Sequence, residues 1–340
     1  MATTEFLRSN EPGRRRFLLT TCYWAYAVVL ALGTLLLWTT GDRWWVGTLL
    51  CFGPRWVVVV PLPVLAALSL RRWRARIAPL AIAVALTPGW LVFNVPNLSN
   101  ASAAGRAFRI ITFNGDGTNA DRQAFATWAL AQRADVVVFE EASAEFWSEA
   151  LGPDWHWTPS RHGVLVASRD RVVDSEMPKG EGRFDCLRID LEVDGKIVRV
   201  GCVHLPTPRE GIEALLQRDR RFEEQMSAER IHREAISKEA SDFLVKTQRA
   251  DLVAGDFNLP VESRIYRDYW GDLTDVFSAV GWGFGHTKFT RWHGVRIDHV
   301  LIANPNIAPV RVAIGPDVGS DHRPVFAEVD LPIAVRANGR

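Results

Sequence analysis

Lysine is absent from the first 93 of the chain's 340 residues, although those residues hold ten arginines. Charge of either sign is absent from residues 17–40. Cysteine is scarce, at four, which excludes a scaffold built on disulfides. No Cys or His pair has the spacing of a zinc site, and His156, His286 and His293 stand isolated. No segment repeats. Forty basic side chains meet 39 acidic ones, so the chain as a whole has no surplus of positive charge to offer a polyanion.

What is present is unevenly divided. The ten arginines and three acids of residues 1–93 (Glu5, Glu11, Asp42) give that segment a net +7. The other 247 residues hold 30 basic and 36 acidic side chains, a net −6. Half of the 14 tryptophans also lie in the first 93 residues. Such a division excludes one uniform soluble domain, and a hydrophobic content of 48% excludes a disordered chain.

The first part reads as a membrane anchor of three helices. Residues 17–40 span about 36 Å as a helix, enough for a hydrocarbon core of roughly 30 Å. A second apolar stretch covers residues 44–70, interrupted at Pro54-Arg55, and a third covers residues 77–93. A cleaved signal peptide has an apolar region of only about 7–15 residues and needs no second or third stretch. Arg14-Arg15-Arg16 resembles a twin-arginine signal, but the long apolar run after it fits an ordinary positive flank. That cluster and Arg71, Arg72, Arg74 and Arg76 should both be cytoplasmic. The N-terminus is then cytoplasmic, the protein is multi-pass in the cell membrane, and everything after Phe93 lies outside the cytoplasm. Trp38, Trp44, Trp45, Trp56, Trp73 and Trp90 fall near span ends. Were Arg55 to turn the second stretch back as a re-entrant hairpin, the C-terminal part would face the cytoplasm instead.

Residues 94–106 form a linker of small and polar residues, residues 107–333 a domain, and residues 334–340 a tail. Strand-like runs cover 108–113, 135–139, 164–168, 184–193, 196–204, 251–255, 298–303, 310–315 and 325–331. Helical patterns cover 121–133, 144–151 and about 210–247. Nine strands with few long helices point to a sheet-on-sheet core flanked by helices. The charged stretch at 210–248 reads as a solvated surface helix, with a helix overhanging the site as the alternative. Cys22 and Cys51 read as small buried hydrophobes. Asp194-Gly195 makes a two-residue turn that pairs positions summing to 389. Cys186 and Cys202 sum to 388, so they face opposite sides and form no disulfide.

Strands end in polar residues that can do chemistry. The first ends in Asn114-Gly115-Asp116-Gly117, the second in Glu140-Glu141, and later ones in His204-Leu205-Pro206 and Gly255-Asp256-Phe257-Asn258. Arg296-Ile297-Asp298-His299 and Ser320-Asp321-His322-Arg323-Pro324 follow. Oxygen donors of mixed carboxylate and amide type suit Mg²⁺, Mn²⁺ or Ca²⁺ rather than Zn²⁺.

In this order the motifs resemble the endonuclease/exonuclease/phosphatase (DNase I-like) superfamily, which includes DNase I, apurinic endonucleases of the exonuclease III type, neutral sphingomyelinases and inositol polyphosphate 5-phosphatases. The resemblance covers about residues 107–332, and Gly-Asp-Phe-Asn and Ser-Asp-His-Arg-Pro are its most specific strings. It implies a four-layered α/β sandwich of two packed mixed sheets flanked by helices, and a metal-dependent phosphoric ester hydrolase using Mg²⁺ or Mn²⁺. It implies Glu141 as principal metal ligand, supported by Asn114 and Asp116, with Asp321 near the metal. Glu140 stands where the family often has Gln and is not the ligand. Asp256 would orient or deprotonate the attacking water, and Asn258 would hold a phosphate oxygen. His322 would stabilise charge at phosphorus, with Asp298 fixing its tautomer, and His204 would donate a proton to the leaving oxygen. Arg161, His162 and Thr287 are further candidates for the lining, with a surface-loop role as the equal alternative.

The acidity of the second part disfavours nucleic acid as a partner, and the anchor makes a lipid phosphate the natural substrate. Three spans followed by this domain, with His-Leu-Pro-Thr-Pro-Arg-Glu-Gly at 204–211, resemble VanJ-like bacterial membrane proteins. That resemblance implies a prenyl pyrophosphate or similar envelope lipid. An extracytoplasmic nuclease is the alternative, and a catalytically dead binding module a more distant one.

Overall fold

The computed structural model describes residues 11–69, 76–96, 105–158, 163–178 and 185–332. Arg71, Arg72, Arg74, most of the 94–106 linker, Arg161, His162 and the 334–340 tail lie outside the described residues, as do the side chains of Arg14, Arg15 and Arg16.

With no charge and no proline after Phe17, the first apolar stretch has nothing to break it, and α1 runs over Glu11–Thr39. Its Phe17–Thr39 portion is 23 residues, long and apolar enough to cross a membrane. The second stretch differs from the single span expected. It forms α2 (Trp45–Phe52), a 3₁₀ turn (Arg55–Val59) and α3 (Pro61–Ser69). The two halves meet at 89°, because Pro54 lacks an amide hydrogen and restricts Gly53 before it. Arg55 holds this bend by donating to the carbonyls of Leu50 at 2.6 Å and Cys51 at 3.0 Å. The third stretch is α4 (Ile77–Leu91), 15 residues or about 22 Å, shorter than a hydrocarbon core. The helices lock together through polar tips. Tyr26 donates to the Val58 carbonyl at 2.8 Å, and the Trp90 indole to that of Leu30 at 3.3 Å.

The rest is a sandwich. The first sheet contains β1 (Arg106–Asn114), β2 (Val136–Glu140), β3 (His156–Trp157), β4 (Val164–Ser168), β13 (Ala308–Ile314) and β14 (Val325–Leu331), in the order β13-β14-β1-β2-β4-β3. The second contains β5 (Arg171–Glu176), β6 (Asp185–Val193), β7 (Lys196–His204), β8 (Leu252–Asp256), β9 (Thr274–Asp275) and β12 (Asp298–Ile302), in the order β5-β6-β7-β8-β12-β9. A small ribbon pairs β10 (Lys288–Phe289) with β11 (Gly294–Val295). All nine expected runs are strands. The ones missed are β3, β5, β9, β10 and β11.

Period-two alternation assigns each strand's two faces. Ile110, Val138, Ile189, Val200, Ala254 and Val300 fill the seam between the sheets. Ile111, Phe113 and Phe139 point outward against α5 (Arg122–Ala131) and α6 (Ala144–Leu151). Val203, Val253 and Leu301 form the outer layer of the second sheet, beneath Ile236, Ala240 and Trp270. Cys186 and Cys202 are free thiols on opposite faces of one hairpin, as the register requires.

The long charged helix is broken in two, α7 (Arg209–Leu216) and α8 (Phe222–Ser241), with Arg218 at φ +60° between them. It is not simply a solvated surface. α7 lines a cleft, and Arg233 of α8 is buried against Asp42. After α8 come α9 (Arg264–Tyr269) and α10 (Val276–Val280).

Trp147 of α6 is wholly buried and stacks 4.8 Å from Phe139, with Phe113 and Phe125 at its edges. Trp147→Ala should cost about 3–5 kcal/mol, measured by denaturant unfolding of the detergent-solubilised chain. A cost below about 1 kcal/mol would mean that this cluster does not hold the first helical layer.

Candidate active site

The site lies where strand register brings five strand ends together. Asn114 ends β1 directly opposite Glu140, the end of β2. His204 ends β7 opposite Asp256, the end of β8, and Asp256 is also opposite Asp298, the first residue of β12. The sheets meet through one amide. Asn114 Nδ2 donates to Asp256 Oδ2 and to Glu141 Oε1, both at 3.1 Å. Ser320 donates from its hydroxyl to the Asn114 carbonyl and accepts from the His322 backbone, which clips the C-terminal motif onto the floor.

His322 Nδ1 donates to both Asp298 oxygens at 2.9–3.0 Å, while its Nε2 faces Asp256 Oδ2 at 3.7 Å. The Thr287 hydroxyl accepts from the Asp298 amide, so Thr287 supports the site from beneath rather than lining it. Asp256 Oδ1 accepts from the Asn258 amide at 2.8 Å. Asn258 spends one amide hydrogen on the Leu205 carbonyl and keeps another for a ligand. His204 stands between Asp185 at 3.4 Å and Glu141 at 3.6 Å. Glu140 is fully buried, accepts from Thr112 and does not line the cleft.

Of the four expected metal ligands, Glu141 and Asn114 meet. Asp116 accepts from Asn119 at 2.8 Å, and its amide donates to Asn114 Oδ1. Asp321 forms an ion pair with Lys288 and lies 3.8 Å from His322 Nε2. Among the described residues, Asp256, Asp298 and His322 offer ligand-type atoms within 4.8 Å of one another. Asp298 is already committed to His322 Nδ1, which makes that pair an oriented imidazole more than a ligand set. The carboxylates of Glu141 and Asp256 are the hard donors lining the cleft, and no Lys or Arg pairs with either among the described ion pairs, while the Asn114 oxygen accepts from the Asp116 amide. This donor set fits a divalent cation of the Mg²⁺ or Mn²⁺ type. Lys288, Asp185 and Ser320 escaped the sequence reading. Ser320 lay inside the quoted Ser-Asp-His-Arg-Pro string, whereas the other two carried no local signal.

Electrostatics follow from burial and pairing. Burial, then repulsion from Asp298, pushes the Asp256 carboxyl up. Burial alone disfavours the His322 imidazolium, but Asp298 and then Asp256 outweigh it and push it up to about 9. Burial likewise opposes a charge on His204, and Asp185, Asp256 and Glu141 together raise it.

Because His322 holds its proton more tightly folded than unfolded, it contributes stability that is fully present below about pH 6.5 and lost as pH rises through about 9. In EDTA, the difference in melting temperature between wild type and His322→Gln should therefore shrink from pH 7 to pH 10. A difference constant over that range would show that His322 is neutral in the folded chain.

A profile of the Endonuclease/Exonuclease/phosphatase family matches residues 100–322, starting beyond the apolar segment. No curated protein matches the chain. Among solved structures, an endonuclease/exonuclease/phosphatase family protein from Bacteroides thetaiotaomicron is 14% identical, with a TM-score of 0.50 over 67% of this chain and 99% of that one. A mannosyl-6-phosphatase of the same organism is 14% identical, with a TM-score of 0.49 over 65% of this chain and 99% of its own. The 3′ phosphatase NExo from Neisseria, bound to product DNA hairpin, is 20% identical, with a TM-score of 0.48 over 66% and 100%. The family match covers well over half of the sequence, and the sandwich is the fold of the first of these structures. The chain belongs to the endonuclease/exonuclease/phosphatase family, whose members are metal-dependent hydrolases of phosphoric esters.

Proposed function

We propose that the chain is a membrane-anchored phosphoesterase that hydrolyses a phosphodiester or pyrophosphate bond of an envelope lipid, such as a prenyl pyrophosphate. The cleft carries this reading. It encloses about 590 Å³, with Glu141, Asp256, His204 and His322 among its polar lining. Its walls are apolar, formed by Leu205, Pro206, Pro208, Ile212 and Leu216, with Phe52 contributed by the anchor. Leu216, at the end of α7, is 75% exposed. A phosphate head beside an apolar wall that continues into the anchor is the arrangement an amphiphile needs. The basic lining residues outside its three histidines are Arg209 and Lys288, against the acids Glu141, Asp185, Glu213 and Asp256, a poor balance for a nucleic-acid groove.

Glu141 would hold the cation as principal ligand, supported by Asn114 and Asp116, with Asp321 near it. A bound Mg²⁺ or Mn²⁺ supplies charge neutralisation and polarisation of the phosphoryl group. Asp256 orients the attacking water and takes its proton. Asn258 donates its remaining amide hydrogen to a phosphate oxygen. His322, held cationic by Asp298, stabilises the negative charge that develops opposite the nucleophile. His204 gives a proton to the leaving oxygen.

The anchor crosses three times in this reading, through α1, residues 55–68 and α4, with α2 lying along the domain. Three contacts support it. The Arg267 guanidinium donates to the carbonyls of Leu37 and Trp38 at the end of α1. His293 lies 2.6 Å from the Phe52 carbonyl, and Asn94 pairs with Gly283 after α4. Arg55 meets Glu262 of the domain at 3.2 Å, which sets it at the domain end of its helix and away from mid-bilayer. The N-terminus is then cytoplasmic and the domain extracytoplasmic.

Purified full-length chain should hydrolyse bis-p-nitrophenyl phosphate and lose that activity in EDTA. Asp256→Ala and His322→Ala should each lose at least about 10²-fold in turnover while remaining folded. Turnover of Asp256→Ala near that of wild type would overturn the mechanism. In a panel of prenyl pyrophosphate, phospholipid and single-stranded DNA, the lipids should be cleaved, and cleavage of DNA alone would favour a nuclease. Protease added to intact cells should digest the C-terminal domain, and its protection would reverse the topology.

A further inference from the structure

The loop between α1 and α2 is built into the domain. Asp42, on this loop, has a fully buried carboxylate. Its Oδ1 accepts from the Arg264 amide at 2.9 Å and its Oδ2 from the Ser263 hydroxyl at 2.8 Å. Two glycines permit the approach. A Cβ on Gly41, at φ +53°, would stand 2.7 Å from the Arg264 nitrogen, and one on Gly47 would stand 1.6 Å from the Gly41 carbonyl oxygen. Arg233, its side chain 2% exposed, reaches the same carboxylate at 3.4 Å.

The nitrogen of Arg233 that faces Asp42 also donates to the backbone carbonyl of Asn258 at 3.0 Å. Asn258 sits at φ +48°, a left-handed conformation that asparagine tolerates but that surrounding contacts must maintain. The hydrogen bonds from its backbone N–H to Asp256 and from its side-chain amide to the Leu205 carbonyl come from the site itself. The third restraint, on its carbonyl, comes from an arginine whose counter-ion belongs to the anchor.

We propose that Asp42 is a positioning residue for the reaction. By holding Arg233, it fixes the Asn258 backbone and so the side-chain amide that donates to a phosphate oxygen. The inference rests on the role of Asn258 given above. It makes the anchor loop a working part of the site, beyond its use as a tether. Asn in place of Asp42 has one acceptor oxygen instead of two and leaves Arg233 without its counter-ion. Ser263→Ala removes a different bond to Asp42 and leaves the Arg233 contacts in place.

The test uses the full chain in detergent with Mg²⁺ and bis-p-nitrophenyl phosphate. Asp42→Asn should lower kcat about tenfold, as loss of a supporting residue behind a site commonly does, with KM within about twofold of wild type. Arg233→Met should do the same, and the double variant should be no slower than Arg233→Met alone, since both act through one contact. Ser263→Ala should keep the wild-type kcat. If Asp42→Asn does not fold, Arg233→Lys carries the test. Lysine keeps a charge in the pocket for Asp42, but its shorter side chain draws that nitrogen back from the Asn258 carbonyl, so kcat should fall while the melting temperature stays near that of wild type. Wild-type kcat in folded Asp42→Asn or Arg233→Lys, additive losses in the double variant, or an equal loss in Ser263→Ala would each overturn the proposal. An inactive wild type would sink the reading of the site along with it. An active wild type with an unaffected Asp42→Asn would sink the relay alone.

Discussion

Asp256 is a carboxylate buried at the seam of two sheets, and the geometry of the site is set by what surrounds it. From the first sheet it receives the Asn114 amide, from its own loop the Asn258 amide, and across the cleft it faces His204 and His322. An ionised acid in such a place is costly unless hydrogen bonds and opposite charge surround it. Each neighbour is therefore held by a further partner, Asp298 behind His322 and Asp185 behind His204. Burial and then repulsion from Asp298 raise the proton affinity of Asp256, while the His322 imidazolium holds that of Asp298 below the usual carboxylate range despite burial. Two acids of one type are thus set to different tasks by their surroundings.

Three non-glycine residues of the site, Asp116, Glu141 and Asn258, have positive φ. Each follows the end of a strand, where the chain must turn sharply to aim a polar group back over the sheet edge. The hydrogen bonds that hold these turns run among the same residues, from the Asp116 amide to Asn114 and from Gly117 to the Glu141 carbonyl. Backbone strain and chemical function coincide here because a rigid sheet absorbs the first while presenting the second.

Much of this was legible in the sequence. Strand ends are contiguous stretches in which an apolar run stops at Asn114, Glu140, His204 or Asp256, and both the runs and the stops can be read directly. The sandwich followed from nine such runs. The five strands that went unread include four of two residues, too short for any alternation to show. The helix drawn over 210–247 fails at Arg218, where nothing local marks a left-handed residue. Lys288 beside Asp321, Phe52 in the cleft wall and Arg233 beneath Asn258 are contacts between segments distant in the chain. Their partners exist only once the domain has closed. The bend at Gly53-Pro54 was visible as an interruption, but its direction depends on Arg55 reaching Glu262, more than 200 residues away.

The contacts of the α1–α2 loop bear on how such a chain can be assembled from parts. Asp42 fills a place made by Ser263, Arg264 and Arg233, and Gly41 and Gly47 are the residues that let it enter. A foreign apolar segment fused ahead of the sandwich would supply a tether but not this plug, and would leave Arg233 without the carboxylate it faces. The two halves are therefore poor candidates for exchange by domain shuffling. Asp42 and Arg233 join them as one unit, the carboxylate supplied by one half and the guanidinium by the other.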